Sequence, residues 1–421
     1  MEIPILGFFA RKINPSPVKI SSQIENMEPN NDTESVQECS DSMGKTIISK
    51  VEKTLGKDVP SKFLEYTDSL GEHVFARIER TLGKGATSKV FEIKDNLNHS
   101  HAVKKLDPDC KTEIKNELSY LILPTHEGLV KSHGVVITEK DSEIYYSTDN
   151  DVDTSNLIPE ILREISKKNI TRVLLFQPKM GIDLRKFQNY LLDEHGSDYQ
   201  DYHPWLTNNH FQSFILNILS ALEHLHLYNI IHRDLKPENI VYNPQKDTWC
   251  LTDFGLSREV PPIESRYMTP QMVTLWYRSL SILENSTQYG TEIDLFSLGC
   301  VALEILSGEI LFPGQKHNQR DLVRTKVNWG LLMSTESYYT KMKNKMKNSQ
   351  NLRIPREWIN MFLSMLYEKD SKSASEYKED FTRVLSNENT LDPNNLRYKK
   401  MRTSPTSCLS FYSNSNEETF L

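Results

Sequence analysis

The sequence predicts an α+β chain, β-rich in its front third and mainly helical behind, and three observations carry that expectation. Val74 to Lys94 alternates apolar and polar residues around a Gly-x-Gly, and a short apolar run follows at His101 to Leu106, the pattern of a hairpin and a third strand. From Asn209 onward Phe211, Phe214, Ile215, Ile218, Leu222 and Leu225 recur at helical spacing, which makes an amphipathic helix packed on a core. Asp294 to Leu306 is apolar almost all round, with Thr291 and Asp294 spaced as a capping box and Gly308 just past its end, so this helix should be central and buried.

Composition sets the margins. The 421 residues include 50 basic and 57 acidic side chains, a formal net charge of -7 that argues against a nucleic-acid-binding domain. With 38% apolar and 25% charged residues, the chain has a soluble globular profile. Cys39, Cys110, Cys250, Cys300 and Cys408 are odd in number, far apart and without C-x-x-C pairing, so neither a disulfide framework nor a zinc site is expected. The opening Met1-Glu2-Ile3 lacks a basic n-region, and no uncharged apolar run approaches a membrane span. The expectation is an intracellular protein, cytoplasmic or nuclear, without a membrane partner.

Residues 21 to 44 carry six carboxylates and no Lys or Arg among Ser, Asn, Gln and Thr, too little apolar area to offset chain ordering. Residues 1–75 are therefore expected to be a mostly disordered arm, with a short helix allowed between Thr46 and Phe63. The chain turns Asn-, Ser- and Thr-rich again after Thr390, so 388–421 reads as a tail. An acidic insert about 139–169 holds five carboxylates between Asp141 and Asp153, then Ile161-Leu162-Arg163-Glu164-Ile165. It reads as a solvated loop, with a partner-binding helix as the alternative. The basic cluster from Met342 to Lys347 reads as a solvated helix face, and His126 and His133 as packing or capping residues.

The chemistry lies in a series of short motifs. Gly83-Lys84-Gly85-Ala86-Thr87-Ser88-Lys89-Val90 sits between two candidate strands, where residues without side chains let backbone N–H groups approach phosphate oxygens. Taken alone, this is also what a glycine hairpin turn looks like. Ala102-Val103-Lys104 then places a lysine on the third strand, within reach of phosphates, and Glu117 sits where a helix could bring a carboxylate to orient it. Ile231-His232-Arg233-Asp234-Leu235-Lys236-Pro237-Glu238-Asn239 follows, and Asp253-Phe254-Gly255 comes 19 residues after Asp234. Together these motifs are highly specific.

They resemble the eukaryotic protein kinases over about residues 76 to 386. The resemblance implies a bilobal fold, with a small β-rich N-lobe over 76–180 and a larger, mainly helical C-lobe over 181–387. It also implies ATP and Mg²⁺ as cofactors. Phosphoryl transfer needs alignment and positive charge more than covalent help. By the resemblance, Asp253 and Asn239 are the Mg²⁺ ligands, Asp234 orients the attacking hydroxyl and Lys236 neutralises the transferred phosphoryl. Lys104 and Glu117 form the phosphate-orienting pair. Leu82, Gly83, Gly85, Ser88, Val90, Ala102 and Lys104 line the nucleotide, Gln177 is the gatekeeper and Met180 the hinge contact. Glu117 is preferred to Glu113 by counting back from His126-Glu127-Gly128-Leu129-Val130-Lys131. A lysine two residues after Asp234 resembles the serine/threonine kinases.

Met272-Val273-Thr274-Leu275-Trp276-Tyr277-Arg278 and Leu311-Phe312-Pro313-Gly314 look like cyclin-dependent kinases, whereas Phe176-Gln177-Pro178-Lys179-Met180 resembles MAP kinases as closely. Both branches belong to the CMGC group. Gln271, where MAP kinases carry an activating Tyr, favours the cyclin-dependent branch, although that branch's cyclin-contacting helix sequence is absent. That branch implies proline-directed Ser/Thr substrates and a possible cyclin or other activating subunit. Thr269 aligns with the activating phosphorylation site, with Arg233 and Arg258 as its receptors and Asn116 in place of a third arginine.

Three departures matter. Ser88 replaces the third loop glycine, Phe296 a frequent Trp, and Ser279-Leu280-Ser281 the usual Ala-Pro-Glu. The lost glutamate and the arginine missing near Asp370 to Ala374 go together, so the joint loss reads as compensated, though the activation segment is expected to be less well anchored. The rival to an active kinase is a pseudokinase that keeps the shape as a binding module. Retention of Lys104, Glu117, Asp234, Asn239 and Asp253 favours the enzyme.

Overall fold

The computed structural model describes residues 63–67, 73–85, 87–94, 99–140, 142–148, 154–166, 169–195, 210–260, 276–284, 289–313, 326, 337, 340, 355–367 and 372–388. Most of the N-terminal arm, the C-terminal tail, Thr269, the Met342 to Lys347 cluster and the Val273 side of the activation segment lie outside them. The chain divides into two compact units. The first runs to Cys110 and resumes over Ser132–Gln177; the second holds Lys111–Lys131 and everything from Pro178 onward.

In the first unit the alternating segment from Val74 to Lys94 falls in β2 (His73–Lys84) and β3 (Ser88–Lys94) and the following apolar run in β4 (Ser100–Leu106), whereas β1 (Phe63–Thr67), inside the arm expected to be disordered, is a strand because it pairs with β2; β5 (Gly134–Glu139), β6 (Ser142–Ser147) and β7 (Ile170–Pro178) join them. They form one sheet in the order β1-β2-β3-β4-β7-β5-β6. Tyr66, Ala76, Ile93, Val103, Val136, Leu174 and Phe176 pack on one another as its core, the alternate side chains of a half-buried sheet.

Two parts of the acidic insert are regular structure where the sequence implies a solvated loop; Asp141 and Asp149 to Asp153 lie outside the described residues. Its front half is β6, paired with β5 so that Tyr145 faces Val136, and Glu143 is fixed by Arg172 at 2.5 Å and Thr138 at 3.0 Å. Its rear half is the helix Thr154–Ile165, whose Ile158, Ile161 and Ile165 are buried. Carboxylate density hid the apolar positions that pair with β5 or are buried on this helix.

The second unit is largely helical. Its described helices are Lys111–Ser119, Leu184–His195, His210–Leu227, Leu280–Leu283, Glu292–Ser307, Arg356–Met365 and Ala374–Glu388. In chain order, counting the insert helix as α2, these are α1 and α3 to α8. Phe211 of α4 stacks on Trp358 of α7 at 5.5 Å, and Trp358 meets Phe381 of α8 at 5.2 Å, so the amphipathic spacing read from Phe211 onward becomes one aromatic layer. Helix α6 is buried from Ile293 to Leu306, as its sequence predicts, and ends on Gly308 in the left-handed region at φ 68°. Its start differs from the expected capping box: Thr291 has helical backbone and makes no side-chain cap, the Asp294 N–H bonds the Thr291 carbonyl instead, and the Asp294 carboxylate is engaged elsewhere. Among the described residues no helix is long and apolar enough to cross a membrane.

Candidate active site

The short strand β8 (Ile230–Ile231) delivers His232 to Asn239 onto the buried α6, where Asp294 organises the loop. Asp294 Oδ2 accepts from the His232 N–H at 2.8 Å and lies 3.0 Å from His226 Nε2, while Oδ1 accepts from the Arg233 N–H at 2.9 Å. Burial alone would raise the Asp294 pKa, but the His226 hydrogen bond, the charges of His226 and His232 and the His232 N–H together hold it below the ordinary value. Arg233 has φ 68°, a left-handed conformation that costs a non-glycine residue about 1–3 kcal/mol unless its surroundings enforce it. Asp294 is what enforces it here, and the turn it fixes presents Asp234.

Asp234 is nearly buried, and its Oδ2 accepts from Lys236 Nζ at 2.6 Å and from Asn239 Nδ2 at 2.9 Å. Asn239 Nδ2 also donates to the Asp234 carbonyl at 2.8 Å. The His232 ring lies beneath: Nδ1 faces the Asp234 N–H at 3.4 Å and Nε2 the Thr252 carbonyl at 3.1 Å, which sets the proton on Nε2. Burial raises the Asp234 pKa, Lys236 opposes that, and the nearby Asp253 charge adds to it.

Asp253 follows β10 (Thr248–Leu251), which pairs with β9 (Ile240–Asn243). It too has φ 68°. The Thr252 N–H donates to the Asn239 carbonyl at 3.0 Å, which ties the Asp253 turn to the Asp234 loop. Phe254 stacks on Tyr120 with centroids 3.8 Å apart, and Asn116 Nδ2 on α1 donates to the Gly255 carbonyl at 2.8 Å. Asn116, which the sequence marks only as a missing arginine, thus anchors the glycine of this motif. Glu117 is fully buried on the same helix, its Oε1 3.4 Å from where a Cβ on Gly255 would stand, whereas Glu113 is only half-buried.

These residues suit a divalent cation. Asn239 commits its amide nitrogen to Asp234, which turns its amide oxygen, a hard donor, into the site's remaining ligand. Asp253 sets a second carboxylate close enough to raise Asp234, a repulsion that a cation relieves.

The first-unit residues expected to line a nucleotide lie in and around the β2–β3 turn and on β4, with Gln177 on β7. Gly83 pairs with Val90 after a register shift, a Cβ on Gly83 would meet nothing within 4 Å, and the Gly85 N–H donates to the Ser88 carbonyl at 2.8 Å. Leu82, Ser88 and Val90 are half-buried. On β4, Lys104 lies opposite Val90, and Ala102 and Lys104 are buried at 6% and 4% exposure, an unusual place for an ammonium. Gln177 is buried and donates to Ser132 Oγ at 3.3 Å. Met180 is half-buried and falls in the second unit.

Of the two arginines expected to receive a phosphate, Arg258 is exposed on β11 (Arg258–Glu259), paired with Ile231, and the Arg233 guanidinium lies 5.8 Å from the Tyr289 ring centre. Burial raises the Tyr289 pKa while Arg233, Arg258 and Arg278 pull it down, so three cations gather around this phenol. The sequence reading missed a second network, in which Arg185 Nη1 donates to Glu304 at 2.5 Å and the Tyr277 hydroxyl donates to Glu304 at 2.6 Å. A carboxylate in the otherwise apolar α6 was the available signal. His126 packs as expected, stacked on His224 at 4.9 Å, with Nδ1 accepting the Gly128 N–H.

Comparison with known proteins agrees with this geometry. A family model described as "Protein kinase domain" matches residues 76–379. "Mitogen-activated protein kinase 5" of Oryza sativa subsp. indica is 32% identical over 234 residues, covering 52% of this chain and 61% of the relative. "Mitogen-activated protein kinase 5" of Arabidopsis thaliana is 33% identical over 219 residues, covering 49% and 57% respectively. "Mitogen-activated protein kinase 13" of the same plant reaches 44% over 115 residues, covering 27% and 31%. The chain spans less than two thirds of the length of these relatives. The similarity reaches the CMGC group and does not single out its cyclin-dependent branch.

Proposed function

The chain belongs to the protein kinase family, and from that premise we propose that it transfers the ATP γ-phosphate to Ser or Thr followed by proline in protein substrates. Protein kinases use ATP and Mg²⁺, which supply the transferable group and the charge that bridges its phosphates. Asp253 and Asn239 would hold the cation; Gly83, Gly85 and Lys104 would hold the phosphates, with Glu117 orienting the lysine. Leu82, Ser88, Val90, Ala102, Gln177 and Met180 would line the adenosine. Asp234 accepts the hydrogen bond of the target hydroxyl and takes its proton, while Lys236 sets positive charge beside it.

The observation that carries the reading is the Asp234 carboxylate, nearly buried and held by Lys236 at 2.6 Å and Asn239 at 2.9 Å, with the Asp253 charge close by. A fold kept only for its shape has no need to hold a carboxylate in that way. The proline preference is supported by Arg278 and by relatives named as mitogen-activated protein kinases. Regulation through Thr269 on Arg233 and Arg258, and by a cyclin or another activating subunit, belongs to the same proposal.

The test is phosphate transfer by the purified full chain with Mg²⁺ and ATP to matched Ser-Pro, Ser-Ala and Tyr-Pro peptides, with and without candidate cyclins. Label on Ser-Pro above the other two is expected. Equal label on Ser-Pro and Ser-Ala would overturn the proline preference, and no transfer to any peptide in any arm would overturn the enzyme.

A further inference from the structure

The stretch Trp276 to Ser279 stands where the usual glutamate anchor is missing, yet each of three successive carbonyls meets a side-chain donor. Lys326 Nζ donates to the Trp276 carbonyl at 3.1 Å and also to the Arg278 carbonyl. Ser297 Oγ on α6 lies 2.8 Å from the Tyr277 carbonyl and 2.9 Å from that of Ile293, so its one proton is shared between them.

Lys326 is only 6% exposed. Its ammonium lies 4.8 Å from the ring centres of both Phe296 and Phe312, and those rings stack 6.1 Å apart at 13°. A charge taken out of water must be compensated, and here two carbonyls and two π faces do so. Phe296, which reads from sequence as a mere filler for a missing tryptophan, is one wall of this cage.

Two carbonyls drawn to one amine fix the peptide planes before Tyr277 and after Arg278, and Ser297 holds the plane between them. They therefore set the direction in which Trp276 and Arg278 project. Arg278 is buried at 8% exposure; burial lowers its pKa, and the Asp234 charge is felt there and opposes that. Below the stretch, Ser279 Oγ accepts from the Ile282 N–H at 3.4 Å and starts α5.

We propose that Lys326, caged between Phe296 and Phe312, is a positioning residue that holds Trp276 to Arg278 in place of the missing ion pair, and so sets recognition of the residue after the target Ser or Thr. The specificity half of this inference rests on the kinase reading above; the anchoring half does not.

The test uses the full chain as wild type, Lys326→Met, Lys326→Arg and Ser297→Ala. It reads hydrogen exchange over 276–284 and steady-state kinetics on Ser-Pro and Ser-Ala peptides. Lys326→Met should exchange faster over 276–284 while Glu292–Ser307 stays protected. Its KM for the Ser-Pro peptide should rise about ten- to a hundredfold, the loss of hydrogen bonds to a charged donor, with KM for ATP unchanged and the Pro-over-Ala preference flattened. Lys326→Arg should restore most of the peptide KM. Unchanged exchange over 276–284 in Lys326→Met overturns the anchoring, and an unchanged Pro-over-Ala ratio overturns the specificity role. Should Lys326→Met not fold, Lys326→Gln takes its place: faster exchange in the same stretch supports the proposal and unchanged exchange overturns it, with Ser297→Ala as the comparison that keeps both Lys326 bonds. A wild type without transfer activity sinks the kinase reading, and exchange alone then judges the anchor.

Discussion

Asp294→Asn removes one charge and reverses one hydrogen-bonding atom at the point where the Asp234 loop is held. The carboxylate accepts from three groups: His232 N at 2.8 Å, His226 Nε2 at 3.0 Å and Arg233 N at 2.9 Å. An asparagine can keep its oxygen toward Arg233, but its NH₂ then faces the two donors on Oδ2. Each hydrogen bond to a buried charge contributes about 1.5–3 kcal/mol, and breaking a buried pair from one side costs about 3–5 kcal/mol. The second figure is the better guide, because the loop relaxes part of the clash. The His232 N–H beside it would lose its acceptor, which loosens the turn that holds Arg233 in its left-handed backbone, so Asp234 should drift even in molecules that stay folded. For a domain of this size 3–5 kcal/mol corresponds to a melting temperature lowered by about 5–8 °C. Calorimetry of wild type and Asp294→Asn at pH 7 reads it directly. Because the folded Asp294 carboxyl sits below its ordinary value, its contribution is fully present above about pH 4 and is lost as the pH falls through the folded value. The gap between the two melting temperatures should therefore shrink on acidification. A gap under about 2 °C at pH 7 would refute the reasoning.

Further outcomes follow from the same packing. Gly299→Ala adds a Cβ that would stand 2.9 Å from the Phe362 carbonyl and 3.1 Å from Met365 Cβ. The helix gains about 1 kcal/mol of propensity but the overpacking costs about 1–3 kcal/mol against α7, so the melting temperature should fall, and a rise would mean α6 and α7 are less close than they stand here. The Cys250 and Cys300 thiols are buried and pushed up to about 11 and about 12 by that burial. Mass mapping after alkylation at neutral pH should leave both unlabelled in the native protein while the half-buried Cys110 reacts. Labelling at Cys300 without unfolding would contradict the buried α6. Tyr277→Phe deletes the hydroxyl bonded to Glu304 and Arg185 and should cost about 1–3 kcal/mol in urea unfolding at an unchanged m-value; no cost would mean water replaces it.

Much of this could be read from the chain because the chemistry is local. Asp234, Lys236 and Asn239 lie within six consecutive residues, and the loop they share is short enough that spacing fixes their meeting. Alternation gave the front strands and helical spacing gave α4 and α6, since burial of one face imposes both periods. What escaped depends on distant partners. Asp294 was read as a local cap because Thr291 is near in sequence, whereas its real partners stand some 60 residues earlier, and burial rewards them more than a surface cap. Lys326 had no local signal: its carbonyl partners precede it by 48 and 50 residues, and a lysine in a polar stretch looks solvated until two phenylalanines close over it. The insert misled for a related reason, since Ile158, Ile161 and Ile165 are buried and Glu143 is held by Arg172, a partner 29 residues away.

The most direct test of the central claim is steady-state phosphate transfer to a Ser-Pro peptide by wild type and Asp234→Asn, both shown to be folded and to bind ATP equally. Loss of a positioned base should lower kcat by about 10²- to 10⁴-fold in the variant with KM for ATP unchanged. Equal turnover by the two proteins would contradict the account.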